Sequence, residues 1–274
     1  MIKLIALDMD GTLLNNEKCI SERNYQAIQA AKTAGIKVVL ASGRPLQGLQ
    51  SHLEHLGLTG DDDFVVSYNG SLVQRVGNGE VLHKTSLKGS DAKAIFEVSQ
   101  QLGVYIHAFS VKQGLITHQN NTWTDIEATL NGMQATQVDF TQLDDNEDII
   151  KVMLVADEKD LTPAIKNLPA HLREQYTVVQ SAPFFLELLH PTSNKGIAIE
   201  KLSRVMNITA DEIMCVGDAE NDHAMLIFAG LAVAMENADP ATKALAHYIT
   251  KSNVDDGVAV AIEEKALKAQ LSPA

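Results

Sequence analysis

Two aspartates near the start of the chain stand in the segment Asp8-Met9-Asp10-Gly11-Thr12. Carboxylates this close repel each other and resist joint ionisation unless a positive charge lies between them. A hard cation with oxygen ligands, such as Mg²⁺, is the natural partner of such a pair. The alternative is a plain acidic turn, because adjacent Asp and Gly residues are common in turns. This segment alone leaves both interpretations open.

Three later segments carry polar groups that could act with these acids. Ser42-Gly43-Arg44-Pro45 offers a hydroxyl, and its proline suits the first turn of a helix whose free N–H groups favour an anion. Lys195 stands at a predicted helix start, and Gly217-Asp218-Ala219-Glu220-Asn221-Asp222 adds acids and an amide. Taken alone, the Ser-Gly-Arg-Pro segment is interpreted as a strand-to-helix turn. Taken together, the segments would provide acids for a divalent cation and a hydroxyl and a lysine for a phosphoryl group. They would also leave one carboxylate free to attack.

The elements before these segments must bring them together. Apolar runs at residues 3–7, 36–41 and 211–216 are typical of strands buried on both faces of a parallel sheet. Helices are predicted between them, the first one capped by Ser21. Ligands of an open α/β sheet bind outside the carboxyl ends of its strands. We therefore predict an α/β fold with a doubly wound, mostly parallel sheet and the polar segments at one edge.

The middle of the chain has a different pattern. Pairs of predicted strands mixed with helices indicate an α+β module with a largely antiparallel sheet, placed at residues 85–189 as an insertion. Residues 1–84 and 190–274 then form the core domain. The histidines His107, His118 and His190 stand in no recognised metal-ligand spacing. We expect them to be hydrogen-bonded or to lie on the surface. Trp123 and Phe184-Phe185 could face a ligand, but core packing is favoured.

Composition limits the classes of partner. The formal net charge of −13 disfavours a nucleic acid but not a small phosphate ester, which would need local neutralisation. The only two cysteines, Cys19 and Cys215, lie far apart and fit a reducing cytosol better than a disulfide framework. No apolar run approaches a membrane span and the N-terminus lacks a signal-peptide pattern. We therefore expect a cytoplasmic protein with no membrane partner; its oligomeric state is open.

The four polar segments, in this order, resemble the motifs of the haloacid dehalogenase-like phosphohydrolases. The insertion between the second and third motifs looks like the large cap of the Cof-type branch of that family. Four further segments are similar to those of a bacterial sugar phosphatase: Tyr68-Asn69-Gly70, Ser181-Ala182-Pro183, Asn194-Lys195-Gly196 and Thr250-Lys251-Ser252-Asn253. Serine at position 42 replaces the commoner threonine and keeps the hydroxyl.

The resemblance implies a phosphatase that uses Mg²⁺ and a covalent intermediate. Asp8 would be the nucleophile that forms an aspartyl-phosphate. Asp10 would be the general acid on the leaving oxygen and then the base for water. The Asp8 carboxylate, the Asp10 backbone carbonyl and Asp218 would hold the Mg²⁺.

The family pattern also implies a set of groups that hold the phosphate. Ser42, the Gly43 amide and Lys195 would bind the phosphoryl oxygens, with the Met9 amide and Asn221 as further contacts. Asp222 would orient Lys195 or metal-bound water rather than ligate directly. A structural ion pair is favoured for Arg44.

The activity expected on these grounds is hydrolysis of small phosphorylated metabolites, with sugar phosphates as the favoured class and the cap setting specificity. A phosphomutase or phosphotransferase using the same aspartyl-phosphate is the nearest alternative. Asp10 argues against a reaction in which phosphoryl transfer stops at Asp8, because an acid and base at position 10 promotes turnover. A phospho-acceptor signalling module shares the strand-end acids, the hydroxyl and the lysine, but it would not need the insertion. A non-catalytic metabolite-binding protein would not need the complete motifs.

Overall fold

The computed structural model describes residues 1–268 of the chain. These residues form two compact units, one from Met1–Lys84 together with the chain from Asn194 onward, and one from Thr85–Ser193. The second unit ends at Ser193, whereas the sequence placed its end at residue 189. The two ends of the inserted unit meet each other, since Thr85 Oγ1 donates a hydrogen bond of 3.2 Å to Ser193 Oγ.

The strands are, in chain order, β1 (Leu4–Leu7), β2 (Lys37–Ala41), β3 (Phe64–Ser67), β4 (Leu72–Arg75), β5 (Val81–Lys84), β6 (Leu87–Lys88), β7 (Tyr105–Ser110), β8 (Gly114–Thr117), β9 (Ala135–Gln137), β10 (Asp148–Val155), β11 (Thr177–Ala182), β12 (Phe185–Leu189), β13 (Ile213–Gly217), β14 (Leu231–Ala234) and β15 (Tyr248–Ile249).

The α-helices are α1 (Glu22–Thr33), α2 (Leu46–His55), α3 (Gly89–Leu102), α4 (Thr122–Leu130), α5 (Glu158–Lys166), α6 (Ala170–Gln175), α7 (Lys195–Val205), α8 (His223–Phe228), α9 (Pro240–Ala244) and α10 (Gly257–Ala261). Short 3₁₀ turns occur at Tyr68–Gly70, Phe140–Gln142, Ala210–Glu212 and Glu220–Asp222, and a π-helical turn follows α10 at Ile262–Leu267.

The core unit is built on one sheet with the strand order β15-β14-β13-β1-β2-β3-β4-β5. The first six of these strands are parallel to one another, and the hairpin β4–β5 adds two antiparallel strands at one edge. Alternate residues of β1 pack in opposite directions, Ile5 and Leu7 against α1, α2 and α10, and Leu4 and Ala6 against α7 and α8. The predicted doubly wound α/β class is therefore confirmed.

The register of the central strands brings the polar segments to one edge of the sheet. Leu7, the last residue of β1, pairs with Val216 of β13 on one side and with Leu40 of β2 on the other. Asp8 follows Leu7 by one residue, and Ser42 and Asp218 follow Leu40 and Val216 by two. Asp8, Ser42 and Asp218 therefore leave the sheet side by side, at the carboxyl ends where α/β proteins bind ligands.

The inserted unit has a second sheet with the order β11-β12-β10-β7-β8-β9, and β6 pairs with β10. Its pairs are antiparallel except for β8 with β9, in keeping with the predicted α+β pattern. One face packs its apolar side chains on α3, α5 and α6. Helix α4 covers the opposite face, where Thr124 meets His107 and Glu127 meets Lys151. Within residues 1–268 no helix combines the length and apolarity that a membrane crossing requires.

Candidate active site

Asp8 and Lys195 form the centre of the strand-end cluster. Asp8 follows β1 directly, its backbone N–H donates to Val216 O at 3.0 Å, and only 5% of the residue is exposed. Lys195 is the first residue of α7 and is completely buried, with Nζ 2.5 Å from Asp8 Oδ1 and 2.7 Å from Asp222 Oδ1. Asn194 caps this helix, since its side chain accepts a bond from Ile197 N. A buried amine thus joins two carboxylates from different strand ends.

Asp222 orders the loop that follows β13. Its Oδ2 accepts hydrogen bonds from the backbone N–H groups of Asp218 (2.9 Å) and Ala219 (3.2 Å), while its Oδ1 accepts from Lys195. A Cβ at Gly217 would overlap the Asp222 side chain, so glycine is required there. Because both oxygens of Asp222 already have partners, this carboxylate is suited to hold Lys195 and the loop in place.

Asp218 lies close to Asp8 in the same cluster. Its Oδ1 accepts a 2.7 Å hydrogen bond from Thr12 Oγ1, a contact that sequence reasoning did not assign although Thr12 ends the first motif. Gly11 adopts a φ of +87° and passes so close to the Asp218 carboxylate that a side chain would not fit. Oxygens of Asp8, Asp218 and Asp222 lie within 4.8 Å of one another. In the described part of the chain this is the one group of three or more His, Cys, Asp or Glu residues that could hold a metal ion.

The charges in this cluster do not balance. Burial, with the neighbouring Asp222 and Asp218, raises the pKa of Asp8 well above its ordinary value against the opposing effect of Lys195. Burial and Asp222 also raise the pKa of Asp218. Burial lowers the pKa of Lys195, but the carboxylates of Asp222 and Asp8 outweigh it and hold the pKa of the amine above its usual value. Three carboxylates facing one ammonium are a hard, anionic oxygen set, which fits a divalent cation such as Mg²⁺.

Asp10 lies outside this cluster and points its carboxylate to a different set of partners. Arg44 binds it through two hydrogen bonds, Nε to Oδ2 at 2.9 Å and Nη2 to Oδ1 at 2.7 Å, and Lys18 Nζ lies 2.7 Å from Oδ1. Partial burial raises the pKa of Asp10, but the bonds from Arg44 and Lys18 outweigh it, so the pKa lies below the ordinary value. Arg44 thus forms the ion pair expected for it, with the second aspartate of the first motif as its partner. The ligand role of the Asp10 carbonyl stays a prediction.

Apart from Lys195, the predicted phosphate contacts lie in the loops that follow β1, β2 and β13. Ser42 is buried, and its Oγ accepts a bond from Arg44 N at 3.2 Å. Met9 is also buried, and its carbonyl accepts from the backbone of Leu14. Asn221 lies in the loop after β13 and donates from Nδ2 to Asn69 Oδ1 at 3.1 Å. Sequence reasoning noted Asn69 only as part of a family-like segment.

The histidines and aromatic residues of the inserted unit have other surroundings. His107 is completely buried, with Nδ1 3.0 Å from Thr124 Oγ1 and Nε2 3.1 Å from Met153 Sδ. Burial, and then the charge of Lys151, lowers the pKa of His107 to about 3. His118 and His190 likewise have hydrogen-bond partners, in line with the expectation for all three. Trp123 stacks on Phe184 with ring centroids 5.4 Å apart.

Comparisons with known proteins identify the family of this chain. Residues 5–262 match the family described as haloacid dehalogenase-like hydrolase. The chain is 40% identical over 276 residues to the Bacillus subtilis (strain 168) protein named "Putative phosphatase YxeH", covering 97% of this chain and 99% of that one. It is 30% identical over 261 residues to the "5-amino-6-(5-phospho-D-ribitylamino)uracil phosphatase YcsE" of the same strain, covering 95% and 94%.

A solved structure has the same fold. The crystal structure of a haloacid dehalogenase-like hydrolase from Bacteroides thetaiotaomicron is 32% identical in sequence and superposes with a TM-score of 0.85, covering 96% of this chain and 99% of that one. Sequence relatives and structural neighbour both span nearly the whole chain. The chain therefore belongs to the haloacid dehalogenase-like hydrolases and is an enzyme of their phosphatase group.

Proposed function

We propose that this enzyme is a Mg²⁺-dependent phosphatase of small phosphorylated metabolites, with sugar phosphates as the favoured class, and that it acts through an aspartyl-phosphate. The observation that carries the proposal is the buried Lys195 ammonium held between Asp8 and Asp222, with Asp218 facing them. In this proposal Asp8 is the nucleophile, Asp8 and Asp218 belong to the cation site, and Lys195 binds the phosphate.

Asp8 would attack the phosphorus in line with the bond to the leaving oxygen. A bond forms from a carboxylate oxygen of Asp8 to phosphorus as the phosphorus–leaving group bond breaks. Lys195, 2.5 Å from Asp8 Oδ1, fixes the carboxylate and offers positive charge to the phosphoryl oxygens that approach it. Attack by water on the same phosphorus then releases phosphate and restores Asp8.

The carboxylates of Asp8 and Asp218, with the backbone carbonyl of Asp10, would hold the Mg²⁺. When bound, the ion supplies positive charge that offsets the repulsion between the anionic nucleophile and the phosphate. Thr12, which donates to Asp218 Oδ1, leaves the second oxygen of that carboxylate for this purpose. Asp222 holds Lys195 and the loop, because both of its oxygens have protein partners.

Asp10 would give a proton to the leaving oxygen and later take one from water. Its contacts with Arg44 and Lys18 favour the ionised form, which is the form needed for the second step. In the first step the carboxyl must carry a proton, so it has to exchange these cations for the leaving oxygen of the substrate. Arg44 and Lys18 would therefore set how readily Asp10 reaches the substrate.

The phosphoryl oxygens would be held by the Ser42 hydroxyl, the Gly43 N–H and Lys195, with the Met9 amide and Asn221 as further contacts. The Ser42 oxygen accepts from Arg44 N, which leaves its proton for a phosphate oxygen. The inserted unit, Thr85–Ser193, would act as the cap that selects the rest of the substrate. The name of the relative YcsE describes a phosphorylated ribityl compound as its substrate, which supports a small polyol or sugar phosphate here. The cytoplasmic location is proposed from the cysteine content.

A screen of phosphorylated metabolites with purified protein and Mg²⁺ tests this function. We expect catalytic release of inorganic phosphate from p-nitrophenyl phosphate and from several sugar phosphates, and no release by Asp8→Asn. Phosphorylation of the protein without turnover would instead indicate a signalling module. Transfer of the phosphoryl group to a sugar acceptor without phosphate release would indicate a mutase or phosphotransferase.

A further inference from the structure

The turn that follows β3 has an unusual backbone. Tyr68, Asn69 and Gly70 are three consecutive residues with positive φ, at 51°, 54° and 92°. Asparagine tolerates this region, but a bulky residue such as tyrosine adopts it rarely. Backbone conformations of this kind persist where the surrounding structure imposes them, and they are frequent at functional sites.

The backbone of this turn holds the Ser42-Gly43-Arg44 loop from both sides. Asn69 N–H donates to Ser42 O at 2.9 Å, and Tyr68 N–H donates to Arg44 O at 3.1 Å. The carbonyls on either side of Gly43 are therefore fixed by the positive-φ turn. Gly43 N–H itself has no hydrogen-bond partner among the described residues. This is the N–H group that the proposed function assigns to a phosphate oxygen.

The side chain of Asn69 reaches two of the predicted phosphate contacts. Its amide lies against Gly43, where an added Cβ would come within 3.0 Å of Nδ2. Its Oδ1 accepts the 3.1 Å hydrogen bond from Asn221 Nδ2. The loops after β2 and β13 lie on opposite sides of β1, and Asn69 connects them although it follows a third strand.

The same turn also packs on the start of α7. A Cβ at Gly70 would overlap the backbone carbonyl of Asn194 and approach the N–H of Lys195, so the two chains are in close backbone contact there. The turn thus touches the Ser42-Gly43 loop, the Asn221 loop and the residue before the buried lysine. It lies where the three phosphate-binding segments meet.

We propose that Asn69 is a positioning residue that aligns the Gly43 N–H and the Asn221 amide toward one phosphoryl group. This inference rests on the proposed function, because that function assigns Gly43 and Asn221 to the phosphate. Asn69 acts in two ways: its positive-φ backbone sets the Ser42 carbonyl, and its side-chain oxygen sets the direction of Asn221.

The substitution Asn69→Gly separates these two roles, because glycine keeps the positive-φ backbone and removes only the amide. We expect it to raise the inhibition constant of inorganic phosphate and the KM for p-nitrophenyl phosphate about three- to tenfold, the effect of one hydrogen bond. The Mg²⁺ requirement and the melting temperature should change little. Asn207→Gly is the matched control, because Asn207 also has positive φ (55°) but is exposed at the far end of α7. It should match the wild type in all four measurements.

A double variant tests the link to Asn221. If Asn69 acts by orienting Asn221, Asn69→Gly should add little to the loss caused by Asn221→Ala, since residues in one network are not additive. Asn69→Asp keeps the acceptor for Asn221 but places a negative charge beside Gly43, so it should weaken phosphate inhibition at least as much as Asn69→Gly.

Other outcomes separate this inference from the proposed function. Wild-type inhibition constants in both Asn69 variants, or fully multiplicative losses in the double variant, would overturn the role of Asn69 and leave the phosphatase assignment standing. A wild-type enzyme that neither hydrolyses phosphate esters nor is inhibited by phosphate would overturn the proposed function itself.

Discussion

Replacing Lys195 by methionine should destabilise the folded core strongly, and more at neutral than at acidic pH. The ammonium is completely buried, 2.5 Å from one Asp8 oxygen and 2.7 Å from one Asp222 oxygen. Methionine has a similar volume but no charge. Without the ammonium, two buried carboxylates would face each other in a site that already contains Asp218.

The size of the effect follows from the burial. Removing one partner of a buried ion pair typically costs about 3–5 kcal/mol, against about 0–1 kcal/mol for an exposed pair. Lys195 opposes the raised pKa values of Asp8 and Asp218 in the wild type, so its loss should raise the carboxyl pKa values further. Folding of the variant then takes up more protons than folding of the wild type, and its stability falls more steeply as pH rises. Each proton taken up changes the free energy of unfolding by about 1.4 kcal/mol per pH unit. The cost should therefore be smaller at pH 5 than at pH 7, by up to about 2.7 kcal/mol.

Chemical denaturation without Mg²⁺, followed by circular dichroism at pH 5 and pH 7, measures both quantities. Lys201→Met is the matched control, because Lys201 lies on the same helix but is exposed, and it should change stability little at either pH. A Lys195→Met variant as stable as the Lys201→Met variant at pH 7 would refute the reasoning. A loss that is equal at both pH values would show that the carboxylates of the variant take up no more protons on folding than those of the wild type.

Three other substitutions test separate parts of the account. Asp10→Asn should lose about 10²–10⁴-fold in turnover of sugar phosphates but keep a p-nitrophenol burst, whereas Asp8→Asn should show none; identical burst-free traces in stopped flow would count against separate roles. Asp218→Ala should raise the Mg²⁺ concentration needed for half-maximal activity, measured by titration after EDTA treatment, and full activity of the wild type in metal-free buffer would exclude the metal role. The pKa of His107 is about 3 in the folded protein, so in the unfolded chain alone this histidine takes up a proton between pH 7 and pH 5. The free energy of unfolding of the wild type should therefore fall by about 2 kcal/mol over this range. The His107→Gln variant should not show this pH-dependent loss of stability. Urea unfolding at both pH values, followed by the fluorescence of Trp123, the only tryptophan, measures the difference. An equal pH dependence of the unfolding free energy in both proteins would contradict the prediction.

The parts of the fold that could be predicted are those with a local cause. The buried strands β1, β2 and β13 appear as uninterrupted apolar runs because both faces of a central parallel strand are covered. The start of α1 was predictable because Ser21 carries its own signal, an oxygen that accepts a bond from Asn24 N. The order of polar residues after the strands then predicted that Asp8 and Asp218 lie together, since parallel strands end at the same edge. Lys195 starts helix α7, and its role beside them was implied by the family resemblance.

The remaining features depend on contacts that are distant in the sequence. The direction of the Asp10 side chain is set by Arg44, and the proximity of Asn69 to Asn221 requires the whole sheet order. No local pattern signals either contact. In the inserted unit, Lys151 reads as one polar residue in an apolar strand, yet it is buried and paired with Glu187 at 3.2 Å and Glu127 at 3.7 Å. Burial raises the pKa of Glu127, while the two glutamates hold the pKa of Lys151 above its ordinary value despite its burial.

The central claim is that Asp8 becomes covalently phosphorylated during turnover. Acid quenching of the Asp10→Asn variant during reaction with p-nitrophenyl phosphate and Mg²⁺, followed by mass spectrometry of its peptides, tests this most directly, because loss of the base should slow hydrolysis of the intermediate. We predict one phosphoryl group on the peptide that contains Asp8, and none when Asp8→Asn is added. Phosphate release with no adduct on that peptide, or an adduct on another residue, would contradict the account.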